Sequence, residues 1–208
     1  MPGVLLFGGS FDPIHHGHLI VARAIAEQLR VDRTVLIPSA RPPHKPDRAL
    51  ATAEQRVAMC RLAVAHEPAF EVDDWELQQT GPNYTLLTVR HYRTRVPAGH
   101  QLYWLLGMDS LRELATWYHA TELVDVCTLV TAARPGFAVP TATELGTHFA
   151  PAQVAKLQQF ILPSPHIDIA ATDVRARVAR GLSIRYLTPP PVAEYIATNG
   201  LYKTYDAR

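Results

Sequence analysis

Two cysteines, no excess charge of either sign and no long apolar run narrow the reading of this 208-residue chain before any motif is considered. Cysteine this sparse supplies no disulfide framework. Cys60, in a helical pattern, and Cys127, in a strand pattern, read as buried reduced thiols. Twenty basic residues against nineteen acidic ones leave a net charge of +1, so nothing general attracts nucleic acid or an anionic membrane. Any anion site must come from local arrangement. No apolar stretch approaches the length that spans a bilayer. Met1-Pro2-Gly3 leads into the first strand pattern without a basic leader, which makes a cytoplasmic location and no membrane partner the expectation. The length suits one α/β domain with a sizeable core, or at most a domain plus a small subdomain.

Apolar runs alternate with helical patterns almost throughout. Strands are expected at Val4 to Phe7, Thr34 to Pro38, Phe70 to Val72, Gln101 to Leu106, Cys127 to Thr131 and Ile167 to Ile169. Helices are expected from the glycine–histidine segment to Leu29, from about Thr52 to Ala65, from Tyr84-Thr85, from Asp109-Ser110, after Thr172 as cap, and from about Pro191 to Thr198. Glu76 to Pro82 reads as a strand end or turn, and Thr141 to Leu162 as one helix and a weak strand. Prolines at 42, 43 and 46 stiffen a loop from Ser39 to Leu50. Such alternation, with near-continuous apolar strands, implies a parallel sheet covered on both faces. Ligands of such sheets bind at the carboxyl ends of the strands. Gly8, Pro43, Gly107, Arg134 and Thr172 all follow expected strands, so one site is expected to collect them.

The most informative segment is Gly8-Gly9-Ser10-Phe11-Asp12-Pro13-Ile14-His15-His16-Gly17-His18. A strand ends in a glycine pair, turns at Pro13, and enters a helix whose first turn carries two imidazoles. Glycines allow backbone amides to approach a ligand, and free N–H groups at a helix start attract anions. His15 and His18, three apart, share one face and can each donate to a phosphate oxygen. The alternatives are two surface histidines near a turn, or a zinc site from His15, His16 and His18. Zinc lacks further cysteine or carboxylate ligands nearby apart from Asp12.

His15, Gly17 and His18 match the H-x-G-H signature of the nucleotidyltransferase superfamily. Ile169-Ala170-Ala171-Thr172-Asp173-Val174-Arg175 resembles its I-S-S-T-x-x-R motif, with both serines replaced by alanine. Pro42-Pro43-His44-Lys45, Asn83-Tyr84-Thr85, Gly107-Met108-Asp109-Ser110, Trp117 and Arg134-Pro135-Gly136 follow in order. Together they resemble the bacterial nicotinate mononucleotide adenylyltransferase family over roughly residues 4 to 200.

That resemblance implies a Rossmann-like doubly wound sheet in a single domain over 1–208, with a small helical portion from about 170 to 208. It also implies AMP transfer from ATP to nicotinate mononucleotide, giving nicotinate adenine dinucleotide and pyrophosphate, in NAD biosynthesis. His15, His18, Lys45 and Arg175 are then the catalytic candidates. Gly8, Gly9, Ser10, Phe11, Gly107, Asp109 and Thr172 join His15, His18 and Arg175 on ATP. Ser10, Ser39, Lys45, Tyr84, Thr85, Trp117 and Arg134 are the candidates for nicotinate mononucleotide. Mg²⁺ would arrive with ATP, with no metal site of the protein's own. The rival readings are an adenylyltransferase for nicotinamide mononucleotide or phosphopantetheine, and a nucleotide sensor that has lost turnover. An aminoacyl-tRNA synthetase does not suit so short and nearly neutral a chain. Oligomeric state is left open by the sequence.

Overall fold

A computed structural model of the chain describes residues 3–40, 51–133 and 138–205. Strand β1 (Gly3–Gly9) runs through the centre of the sheet, parallel to β2 (Arg33–Pro38) on one side and β4 (Gln101–Gly107) on the other. Beyond β2 lies β3 (Phe70–Val72), and beyond β4 lie β5 (Thr128–Ala133) and β6 (Ile161–Pro163). The order β3-β2-β1-β4-β5-β6 reverses between β1 and β4. That switch point is where a doubly wound sheet opens a crevice at its carboxyl edge.

Side chains alternate between two cores, as the pleat requires. Val4, Leu6 and Trp104 face one core, which is completed by α3 (Thr85–Arg93), α5 (Ala120–Val126) and α7 (Pro151–Gln159). Leu5, Leu36 and Leu105 face the other, beneath α1 (His16–Leu29), α2 (Ala53–Ala63), α8 (Ala171–Ala179) and α9 (Pro190–Thr198). Short helices α4 (Met108–Glu113) and α6 (Ala142–Gly146) fill the connections. Thr52 caps α2 through a reciprocal pair with Gln55, which fixes where the chain returns from residues 41–50. Both cysteines are buried and unpaired with each other, and burial pushes the Cys127 thiol up to about 12.

Several expectations are corrected. Ile167 to Ile169 is not a strand; the last strand is Ile161–Pro163. Pro163 and Pro165 end the ladder there, and the apolar side chains that follow pack instead on neighbouring elements, Ile167 beside Gly17. Residues 141–159 hold two helices, not one; of the two readings for Glu76 to Pro82 the turn holds, beginning as a 3₁₀ turn over Trp75–Gln78. Cys127 ends α5, and the strand begins at Thr128. Thr172 does not cap α8; Ala170 does, without a side-chain bond, and Thr172 sits inside the first turn.

Gly8 also has a reason the sequence hid. A Cβ there would lie 2.4 Å from Cζ2 of Trp104, so the glycine admits the indole rather than only a ligand. Gly107, by contrast, has nothing within 4 Å of an added Cβ. Gly8→Ala should therefore lower unfolding free energy by about 1–3 kcal/mol in urea titration, while Gly107→Ala stays within about 0.5 kcal/mol. Equal stabilities for the two variants would contradict this packing.

Candidate active site

The loop from Ser10 to His15 leaves the carboxyl end of β1 and is buried from Phe11 onward. Phe11 adopts a left-handed φ of 46°, costly for a residue with a Cβ. Its ring is held edge-on between Phe7 at 5.3 Å and His18 at 5.1 Å. His15 is the N-cap of α1, one position before the helix. Its ring folds back over Gly17, where a Cβ would come within 3.0 Å of Nδ1, and stacks on His18 at 3.6 Å. Gly17 is thus what lets the two imidazoles meet. The backbone N–H of His15 donates to Nδ1 of His18 at 3.3 Å. That bond occupies the Nδ1 lone pair, so the neutral ring carries its proton on Nε2. The first turn of α1 holds no acid to oppose an anion at its amino end.

Arg175 reaches the same loop from α8. It is 4 % exposed, and its Nη1 donates to the Asp12 carbonyl at 2.5 Å and lies 3.6 Å from Oδ2 of the Asp12 carboxylate. Nη2 contacts the Tyr205 hydroxyl at 3.1 Å and Thr172 Oγ1 at 3.5 Å. Arg175 is therefore in direct contact with the glycine–histidine loop, whereas Thr172, itself exposed, is linked to that loop through Arg175. With alanine at the cap, the amino end of α8 carries no capping side-chain bond.

A cavity of about 330 Å³ opens beside this loop, within the size range of small-molecule sites. Gly8, Gly9, Ser10 and Ser39 line one wall, and Tyr84, Thr85, Gly107 and Trp117 line others. Tyr84 and Tyr118 stack at 4.4 Å on its border. Asp109 lies exposed in the first turn of α4, one residue from the cavity-lining Ser110. His15, His18, Thr172 and Arg175 do not line the cavity itself; the Gly8–Asp12 segment joins them to it. Lys45, with Pro42, Pro43 and His44, and Arg134, with Pro135 and Gly136, lie outside the described residues. Among the described residues no group of three or more His, Cys, Asp or Glu side chains could hold a metal ion. No helix among them is long and apolar enough to cross a membrane.

The Cytidylyltransferase-like family model covers residues 6–177. A Thermomicrobium roseum protein named "Probable nicotinate-nucleotide adenylyltransferase" is 41 % identical over 97 % of this chain and 92 % of its own length. A Thermus thermophilus protein of the same name is 40 % identical over 95 % and 98 %. The chain belongs to the nicotinate-nucleotide adenylyltransferase family. In fold it is similar to the solved Plasmodium falciparum nicotinic acid mononucleotide adenylyltransferase complexed with NaAD, with TM-score 0.73, 18 % identity and 99 % of each chain covered.

For a nucleotidyltransferase of this family, sequence reasoning passed over three buried groups, Arg56, Tyr202 and Glu76, and the exposed Tyr118. Arg56, 2 % exposed, donates to the carbonyls of Ala51 at 3.1 Å, Ser10 at 2.7 Å and Ala40 at 3.5 Å, tying the site loop to both ends of segment 41–50. Within a helical pattern no local signal separates a buried guanidinium from a solvated one. Tyr202 donates to Asp12 Oδ1 at 2.7 Å from the far end of the chain. Tyr118 sits next to the obvious Trp117. Glu76, 3 % exposed, lines the cavity and accepts from Thr88 Oγ1 at 2.6 Å, with the Ser39 hydroxyl as a second partner.

Burial pushes the Glu76 carboxyl from its ordinary 4.5 up to about 7, against the two hydroxyl bonds, with Asp73 adding to the rise. A raised folded-state value means that the folded protein keeps this proton when the unfolded chain has lost it. The associated stability is complete below about pH 4.5 and is lost as pH climbs through 7. Glu76→Gln should therefore raise Tm by a few degrees at pH 8.5 and change it little at pH 4.5 in differential scanning calorimetry. A variant matching the wild type at both pH values would contradict a neutral, buried Glu76.

Proposed function

We propose that the chain transfers AMP from ATP to nicotinate mononucleotide, as a single domain over residues 1–208 with residues from about 170 onward as a helical portion. The observation that carries this is the placement of the Gly8–Asp12 segment between an aromatic cavity and the His15–His18–Arg175 cluster. A dinucleotide-forming reaction needs a pocket for a ring beside groups that hold phosphates, and this layout supplies both.

An oxygen of the mononucleotide's 5′-phosphate attacks the α-phosphorus of ATP. A new P–O bond forms as the bond to the β-phosphate oxygen breaks, and pyrophosphate leaves with that electron pair. The acceptor phosphate is already ionised near neutral pH, so no general base is required. Catalysis then rests on in-line alignment and on stabilising charge at the reacting phosphorus. His18, whose proton is fixed on Nε2, donates to an α-phosphoryl oxygen, and His15 supports it through the stack. Arg175 and the amino ends of α1 and α8 face the ATP phosphates. Lys45 joins them from residues 41–50, and Mg²⁺ enters on ATP as part of that substrate. Gly107 and Asp109 take the adenosine, the carboxylate accepting ribose hydroxyls. Trp117 stacks on the pyridine, and Thr85 with its neighbouring amides meets the ring carboxylate. Ser10 and Ser39 line the path between, and Arg134 adds charge on the mononucleotide side. Transfer to nicotinamide mononucleotide would leave the donors near Thr85 facing an amide NH₂, which penalises that substrate.

Pyrophosphate release from ATP and Mg²⁺ with each mononucleotide tests the assignment directly; release with nicotinamide mononucleotide alone would overturn it. His18→Ala should lower kcat by about 10² with little change in KM, the pattern of a contact made in the transition state. Unchanged turnover would remove the role given to His18. Trp117→Ala should raise KM for the pyridine nucleotide several-fold and spare that for ATP; an ATP-side defect would place the subsites the other way round.

A further inference from the structure

We propose that Glu76 determines specificity at the pyridine end: neutral, it admits an anionic ring substituent, and ionised, it opposes one. This rests on the nicotinate reading above and adds a group to which that reading gives no part. Glu76 is a buried carboxyl in the wall of the cavity that Thr85 and Trp117 also line. Its backbone carbonyl accepts from Asn83 Nδ2 at 3.1 Å, which ties it to the segment that opens α3. An anion placed near Thr85 therefore shares a partly desolvated space with this carboxyl, where like charges repel strongly.

The surroundings of Glu76 make both protonation states attainable. Its side-chain partners, the hydroxyls of Ser39 at the end of β2 and Thr88 on α3, can each donate or accept. Neither brings charge. The charged neighbour that acts on it is Asp73, of the same sign, itself bonded by the Tyr92 hydroxyl from α3. Asp74, in the same turn, is taken by Arg61 of α2 at 2.8 Å. His91 of α3 stacks on Trp75 at 3.9 Å, and burial together with Arg95 favours its neutral form. Burial holds the Glu76 titration near neutrality, inside the working range of an enzyme.

By linkage, an anionic ligand that prefers neutral Glu76 must bind less well as pH rises, and must in turn favour the protonated carboxyl. The test is KM for nicotinate mononucleotide and for nicotinamide mononucleotide from pH 6 to 9, in the wild type and in Glu76→Gln. Calorimetric Kd values for the same pairs keep the comparison readable should the variant turn over slowly. In the wild type the nicotinate constant should climb about fivefold or more across that range, the low end of typical coupling. In Glu76→Gln, a carboxamide of the same shape that cannot ionise, the ratio of the nicotinate to the nicotinamide constant should stay level. The nicotinamide constant should be alike in both proteins. Each mononucleotide phosphate titrates near pH 6, but equally for both proteins, and so cancels in their ratio. The same slope in both proteins, or the same slope for both mononucleotides in the wild type, overturns the proposal. Absence of any nicotinate turnover by the wild type at every pH would count against the nicotinate reading instead.

Discussion

The carboxylate of Asp12 accepts from the Ala51 backbone N–H at 3.1 Å and from the Tyr202 hydroxyl at 2.7 Å, and it lies 3.6 Å from the Arg175 guanidinium. Three distant stretches of chain thereby close on one loop: the residue before the α2 cap, the carboxyl-terminal segment, and α8. Asp12 and Arg175 are both almost fully buried, and losing one partner of such a pair typically costs about 3–5 kcal/mol. Burial and the Asp12 charge also drive the Tyr202 titration upward, so its hydroxyl stays a donor. The positions of His15, His18 and Phe11 all follow from how firmly this loop is pinned.

From that anchor the site divides by chemistry. On one side a helix amino end, two stacked imidazoles and a buried guanidinium offer donors and positive charge, which suit phosphates. On the other, Trp117, Tyr84, Tyr118 and Thr85 surround a cavity, which suits a flat ring with one polar substituent. Arg56 joins the halves from beneath by holding the carbonyls of Ser10, Ala40 and Ala51. A guanidinium serves better there than an ammonium would, because its planar fork reaches three carbonyls at once.

Most of the sheet was legible because its strands are buried on both faces and so read as unbroken apolar runs, Val4 to Phe7 and Gln101 to Leu106 above all. The same signal misled at Ile167 to Ile169, where three residues are too few to separate a strand from an extended loop packed on helices. The glycine–histidine segment declared itself through residue types that have few other uses at a helix start. Gly8 was legible as special but not for its cause, since only the fold brings Trp104 across it. Glu76 and Arg56 were invisible for a different reason: charged residues in polar stretches look solvated until tertiary packing buries them. Tyr202 pairs with Asp12 across 190 positions, a separation no local pattern spans.

The central claim is that His18 and Arg175 address the phosphates of one bound ATP while Trp117 holds the pyridine of its reaction partner. A crystal structure of the protein with a non-hydrolysable ATP analogue and nicotinate mononucleotide tests it most directly. The account predicts analogue phosphate oxygens within hydrogen-bond distance of His18 Nε2 and of the Arg175 guanidinium, and the pyridine ring on Trp117. Phosphates bound away from both groups, or the adenine on Trp117, would contradict it.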